Sequence, residues 1–269
     1  MTIYDLSGEL LRYDPITASI FQLTFQKNPI AEIARPGQFV MVRAGGIGKD
    51  PLLRRPFSIH RITPDGKIVL LVRIVGSGTS LLSRLKPGDA VQMLGPLGNG
   101  FDLSGIDRES GLILLVGGGM GVAPLLFLAQ RLAQLNLIDK TKIILGARQH
   151  NELLCLYAFR ELGFSVECIT DDGSSGQQGF VTDLLEQAVA EHRKANVFSC
   201  GPTPMLKAVA TLCQQFAAPC QVSMETHMAC GISACLGCAI PANDTEKKYV
   251  HVCKNGPVFQ SQEIAWDQM

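Results

Sequence analysis

Short apolar runs rich in β-formers fill the first hundred residues. They include 38–43 (QFVMVR), 57–62 and 67–75 (KIVLLVRIV), separated by turn signals at Pro36-Gly37, Pro64-Asp65-Gly66 and Pro87-Gly88-Asp89. So dense a set of strands without a long helical period predicts an antiparallel barrel or sandwich. Only 80–85 has a helical pattern, with Thr79 or Ser80 as its N-cap. The pattern changes near Gly111. Strands at 112–116, 142–145, 165–169 and 196–199 alternate with helices at 122–135, 153–162, 181–192 and 204–216. That alternation predicts βαβ units in a parallel sheet, expected to hold five strands. From Pro219 the chain is rich in cysteine and glycine and shows little periodicity. So short a segment needs a metal centre or a neighbouring domain to hold it.

The expected organisation is α+β and multi-domain: an antiparallel β-barrel over 1–104, an α/β parallel-sheet nucleotide domain over 105–217, and a small C-terminal domain over 218–269. Composition agrees, since 46% hydrophobic and 18% charged residues provide for a packed core. Lys+Arg and Asp+Glu balance at 24 each, which gives no basic stripe for nucleic acid. The uncharged stretch 111–129 (GLILLVGGGMGVAPLLFLA) invites a membrane reading, but its glycines and proline fit a strand, a turn and a helix better. With no secretion signal at MTIYDLSGEL, the expectation is a cytoplasmic protein without a membrane partner.

Nine cysteines in a reducing compartment are not a disulfide framework. Five are scattered, as small buried residues are. The other four form the run Cys230-x4-Cys235-x2-Cys238-x14-Cys253. This order is the plant-type [2Fe–2S] spacing. The small residues Gly231, Ser233, Ala234 and Gly237 let thiolates converge and let backbone N–H groups point at sulfur, and the fourth ligand arrives from a separate strand, 248–253. A structural zinc site, which usually pairs ligands as two C-x2-4-C halves, is the rival reading.

Two further constellations point to dinucleotides. Arg55-Pro56-Phe57-Ser58 is followed by Leu71-Val72-Arg73 and by Gly78-Thr79. A guanidinium fork suits a pyrophosphate, Gly78 permits close backbone approach, and a helix start offers free N–H groups. Ser58 is placed to donate to a flavin nitrogen and Phe57 to stack on a ring. Alone, the first four residues read as an edge strand with a surface arginine. The second constellation, Gly117-Gly118-Gly119-Met120-Gly121, lies between a strand and a helix with Pro124 in the first turn. Cys200-Gly201-Pro202 ends a later strand on the same carboxyl edge. Cys200 is either a thiol beside a nicotinamide or a small buried residue at a strand end. The five histidines share no metal or triad pattern, and Asp171-Asp172-Gly173 reads as a turn near the nucleotide.

Taken in order, these blocks resemble one family along nearly the whole chain: the iron–sulfur electron-transfer subunits of NAD-dependent (type B) dihydroorotate dehydrogenase, in the ferredoxin reductase superfamily. RRPFSI, GSGT, LKPGDAVQMLGPLGNGF, GGGMGVAPL, TDDGSSGQQGFVTDLL, CGPTPML, METHMACGISACLGCAI and CKNGPVF carry the resemblance. It implies FAD in the barrel, NAD on the α/β domain and [2Fe–2S] on Cys230, Cys235, Cys238 and Cys253. It also implies an FMN-containing catalytic subunit as partner, with two copies of each chain and dihydroorotate oxidised on the partner in pyrimidine biosynthesis. Asn255 departs from the aspartate more common in CKNGPVF, and Arg148 leaves room for a 2′-phosphate, so NADP stays open. Related reductase subunits of a hydrogenase, a sulfide dehydrogenase or a ferredoxin:NADP transhydrogenase share these motifs. A zinc-stabilised nucleotide sensor is the non-enzymatic alternative.

Overall fold

The computed structural model describes residues 2–44, 50–192 and 194–269, which include every candidate site residue. Six antiparallel strands form the first unit: β1 (Tyr4–Pro15), β2 (Ile20–Phe25), β3 (Phe39–Ala44), β4 (Arg55–Ile62), β5 (Ile68–Arg73) and β6 (Ala90–Leu97). They close into a barrel in the order β1-β2-β5-β4-β3-β6. The long β1 shifts register between Leu10 and Arg12 and pairs with both β2 and β6, which joins the two edges. Phe21, Leu23, Phe25, Leu70, Val72 and Met93 fill the interior. Helix α1 (Pro29–Ile33) is capped by Asn28, whose side-chain oxygen accepts from the Ile30 N–H at 3.0 Å.

Helix α2 (Ser77–Leu82) begins earlier than the apolar pattern implies. Thr79 is inside the helix and does not cap it from outside. Its hydroxyl accepts from the N–H groups of Val75 (2.9 Å) and Gly76 (3.2 Å), so these amides are satisfied and the turn can start at Ser77.

The second unit is a sheet of seven strands, two more than expected. Its order is β10-β9-β8-β7-β11-β12-β15. These are β7 (Ile113–Gly118), β8 (Thr141–Ala147), β9 (Ser165–Thr170), the two-residue β10 (Gln177–Gln178), β11 (Asn196–Cys200), β12 (Cys220–Ser223) and β15 (Val258–Gln260). All pairs are parallel except β12 with β15. Helices α3 (Val122–Gln134) and α4 (Leu156–Glu161) cover one face, and α5 (Val181–Glu191) and α6 (Thr203–Gln215) the other. Helix α4 starts late because Cys155 takes a left-handed φ of 61° at its cap.

β10 adds one edge, and the chain's end supplies the other. β12 and β15 lie within 218–269, so the cysteine-rich segment completes the nucleotide sheet. A hairpin of β13 (Ala239–Pro241) and β14 (Tyr249–His251) stands beside it. Cys238, Ile240, Val252 and Cys253 share one apolar core with Leu114 and Val197 of the sheet and with Met41 and Leu97 of the barrel. Asn99 fastens the segment to the barrel: its N–H donates to the Gly256 carbonyl (2.6 Å) and its side chain to that of Asn255 (2.8 Å). As the composition required, the segment has no core of its own. No helix among the described residues is long and apolar enough to cross a membrane.

Helix α3 packs on β4 and joins barrel to sheet. The Gln130 amide donates to the Ile62 carbonyl at 3.2 Å. His60, fully buried, donates from Nδ1 to the Ala123 carbonyl at 2.8 Å. Burial, partly opposed by that bond, lowers His60 to about 4. The folded ring is therefore neutral and the unfolded ring takes up the extra proton near 6.5. Its stabilisation is complete above about pH 6.5 and is lost as pH falls towards 4, by about 3 kcal/mol. Urea unfolding of wild type and His60→Asn across this window should show wild type losing its advantage in that range. A difference independent of pH would show that His60 is not buried neutral.

Candidate functional site

The carboxyl ends of the parallel strands open on a cavity of about 1150 Å³. Gly118, Gly119, Met120 and Gly121, from the β7–α3 turn, form its floor together with Gly201 and Pro202. The two turns touch. A side-chain carbon at Gly121 would run into the backbone carbonyl of Cys200 and lie 2.5 Å from the Gly201 nitrogen. Only glycine lets β7 and β11 end at one spot, which is why backbone N–H groups and a helix start can face a ligand there. Gly117, paired with Cys200 in register, lies just below and packs against Val122 and Leu125.

Cys200 itself is 1% exposed and does not line the cavity. Burial, reinforced by the Glu225 carboxylate, drives its thiol far above the usual range. Of the two readings of Cys200, the geometry favours the small buried residue.

The far wall includes Arg148, Asp171 and the exposed ring of Phe180, from the ends of β8 and β9 and the start of α5. Among the described residues the Asp171 carboxylate accepts no hydrogen bond, whereas Asp172 is occupied by Ser174 at 2.6 Å. The near wall comes from the barrel: Thr17, Ala18, Ser19 and Ile20 of the β1–β2 turn, and Arg73 at the end of β5. Glu225 faces them. Although solvent reaches it through the cavity, the enclosing protein raises its carboxyl, and Arg73 opposes that shift. Glu225 was missed by sequence reasoning. It lies next to the recognised cysteine run, in METHMAC, but only the placement of β12 beside β11 brings it to Arg73 and Cys200.

The other dinucleotide constellation, on the barrel, also assembles. Arg55, Pro56, Phe57 and Ser58 open β4, opposite Val42, Met41, Val40 and Phe39 of β3. A side-chain carbon at Gly78 would lie 2.6 Å from Arg55 Nε, so this turn and the guanidinium meet. Arg43, Leu53, Arg55, Gly78 and Leu82 border a small cleft there. Leu71 and Val72 are 4% and 0% exposed, so their side chains pack in cores and only their backbone is left for a ligand. The Thr79 hydroxyl is spent on the turn.

The four C-terminal thiols fall into two pairs. Cys230 Sγ accepts from the backbone N–H of Cys235 (3.4 Å), and Cys238 Sγ lies 3.2 Å from Cys253 Sγ. Ser233 N–H donates to Cys253 Sγ (3.2 Å), and Ala234 N–H donates to Cys230 Sγ (3.3 Å). Burial alone would raise Cys230, but these backbone bonds outweigh it and bring the thiol down to about 7. Burial and the Cys238 thiol push Cys253 up to about 12. Among the described residues no three His, Cys, Asp or Glu side chains gather as the shell of a single ion. Ser233 and Leu236 hold positive φ, which curls the loop, and Gly231 rests against Met41 and Leu97 of the barrel. Cys235 is exposed beside Ile232 and Leu236.

Three family profiles match the chain. The profile described as the oxidoreductase FAD-binding domain covers 13–101, and that of the oxidoreductase NAD-binding domain covers 115–211. The iron–sulfur cluster binding domain of dihydroorotate dehydrogenase B covers 225–265. The chain is 40% identical over 254 residues to the electron transfer subunit of dihydroorotate dehydrogenase B (NAD(+)) from Desulforamulus reducens, covering 94% of this chain and 95% of that one. The subunit of the same name from Caldanaerobacter subterraneus is 36% identical over 97% of this chain and 98% of its own. Among solved structures, a chain of the NADH-dependent reduced ferredoxin-NADP oxidoreductase is 29% identical, with a TM-score of 0.82 over 97% of this chain and 90% of that one. That fold is shared across several reductases, but the identities and the C-terminal profile are specific: the chain belongs to the family of electron transfer subunits of NAD(+)-dependent dihydroorotate dehydrogenase B.

Proposed function

We propose that the chain carries electrons from an FMN-containing catalytic subunit, where dihydroorotate is oxidised, through a [2Fe–2S] cluster and FAD to NAD+. The pairing of the four thiols is the observation that carries this reading. A binuclear cluster takes two thiolates per iron, whereas a zinc ion needs four around one centre. Cys230 with Cys235, and Cys238 with Cys253, supply two and two, with N–H donors already aimed at sulfur. Arg55, Pro56, Phe57, Ser58, the backbone of Leu71 and Val72, Arg73, Gly78 and Thr79 would hold FAD. Gly118, Gly119, Met120 and Gly121, with Gly201 and Pro202, would hold NAD, and Gly117 and Cys200 would support these turns from beneath. A flavin exchanges single electrons with a cluster and electron pairs with a nicotinamide, which is the chemistry it would supply between them.

The protein's own contribution is placement. Gly231 seats the cluster loop on β3 and β6 of the barrel, and the exposed rim of Ile232, Cys235 and Leu236 is the side open to a partner. No carboxylate or histidine of this chain is required for dihydroorotate chemistry, which belongs to the partner. The complex would contain two copies of each chain. Purified alone, the chain should hold FAD and iron and reduce dyes with NADH, yet not oxidise dihydroorotate until the catalytic subunit is added. Dihydroorotate turnover by the single chain would overturn this division.

Asp171 supports NAD as the nucleotide. An unpaired carboxylate in the cavity wall suits a ribose hydroxyl and repels a 2′-phosphate. In Asp171→Asn the preference for NADH over NADPH, taken as a ratio of kcat/KM, should fall about tenfold, equivalent to ~1.4 kcal/mol. An unchanged ratio would remove Asp171 from recognition.

A further inference from the structure

His60 lies outside every site described above, yet it connects two of them. It follows Ser58 by two residues on β4 and is fully buried. A carbonyl oxygen only accepts, so the contact with Ala123 fixes the proton on Nδ1 and leaves Nε2 as an acceptor. Nε2 is 3.4 Å from the side-chain amide of Gln22 on β2 and 3.9 Å from the Cys155 thiol before α4. The charged or titratable groups around the ring are the neighbouring Arg61 and the Cys155 thiol. Burial pushes that thiol up to about 12, so it stays a neutral donor. One neutral ring thus links β2, β4, α3 and the start of α4.

The partner atom matters. Ala123 is the second residue of α3, and the turn that precedes it, Gly119–Gly121, borders the nucleotide cavity. A carbonyl in a helix's first turn already serves the helix, so the bond from His60 is an additional one, directed between units. Gln130 holds the middle of the same helix to Ile62 of the same strand. Helix α3 is thereby fixed to β4 at two heights, and β4 begins with Arg55-Pro56-Phe57-Ser58.

We propose that His60 is a positioning residue: by holding Ala123 to β4 it sets the spacing between the flavin sequence on that strand and the glycine turn of the nucleotide cavity. This rests on the cofactor assignment above. Two dinucleotides that react must keep their rings at one separation, and a misplacement of about 1 Å costs on the order of 100-fold in rate. A ring that donates on one edge and accepts on the other does this in a dry interface without bringing in a charge.

The test uses the complex with its catalytic subunit, loaded with FAD and cluster. In His60→Asn the amide N–H takes the place of Nδ1–H; in His60→Gln it reaches towards Nε2 and leaves Ala123 unbound. With full FAD content in both, NADH should reduce the flavin within about threefold of the wild-type rate in His60→Asn and about 10- to 100-fold more slowly in His60→Gln. Backbone amides 121–126 should exchange hydrogen faster in His60→Gln only. Equal rates and equal exchange in the two variants would overturn the proposal. So would NMR of the wild-type chain showing the His60 proton on Nε2, a measurement that needs no variant to fold. A wild-type complex that binds no FAD would instead overturn the cofactor assignment, while the exchange comparison still decides on His60.

Discussion

Cys238→Ser is expected to strip iron from the chain while leaving its flavin and nucleotide sites in place. Cys238 is 2% exposed and 3.2 Å from Cys253, in the core that the C-terminal segment shares with the sheet. A serine oxygen is a poor exchange for a thiolate at an iron–sulfur centre, and its hydroxyl is buried beside the Cys253 thiol. Loss of even a supporting partner typically lowers metal affinity 10- to 100-fold, and loss of a ligand should do at least as much. Iron and sulfide analysis should fall from about two of each per chain to a small fraction. FAD content should hold, since Arg55 and Gly78 meet within the barrel and neither touches the cysteine loop. The unfilled segment should also lose the folding energy that metal binding supplies, and hydrogen exchange should quicken in 225–256 before it does in the sheet. Cys213→Ser is the control: this thiol is 1% exposed in the same core but lies on α6, outside the cysteine run. If Cys238→Ser keeps its iron and visible absorbance, the ligand set is wrong. If both variants lose iron, the loss reports packing and not ligation.

The cluster was legible because its information is local. Four cysteines within twenty-four residues, with small residues between them, specify a loop before any tertiary structure exists. The flavin sequence was legible for the opposite reason: RPFS is weak alone and gains meaning only with GSGT, and the barrel does bring Gly78 to Arg55. What the sequence hid depends on neighbours that no spacing announces. β15 has three residues and joins the sheet across a segment without periodicity, so a five-stranded sheet was the natural expectation. Glu225 gains its place in the cavity only once β12 lies beside β11, and the β1–β2 turn only once the barrel docks. Thr79 reads as a cap by residue type, yet its hydroxyl works from inside the first turn. His60 carries no motif at all. Its role comes from a carbonyl sixty-three residues away.

Gly121 is where that long-range dependence should be most costly to disturb. Its φ of −61° is open to any residue, so alanine there adds no backbone strain. The obstacle is the neighbouring strand end, because the new carbon meets the Cys200 carbonyl, which cannot rotate aside as a side chain would. Gly121→Ala must therefore part the β7–α3 turn from β11, at a cost of about 1–3 kcal/mol, and open the floor of the nucleotide cavity. NADH affinity should fall at least about tenfold, equivalent to ~1.4 kcal/mol. Gly119 separates the two effects that glycine can have. It sits at a φ of 54° with no atom near enough to meet a new carbon, so Gly119→Ala should cost only about 1–2 kcal/mol of backbone preference and keep the turns in contact. Thermal unfolding with and without NADH distinguishes them. Gly119→Ala should retain most of the nucleotide's stabilisation, and Gly121→Ala should lose it. The reverse order would mean that the conformation of the turn, and not its contact with Cys200, shapes the floor of the site.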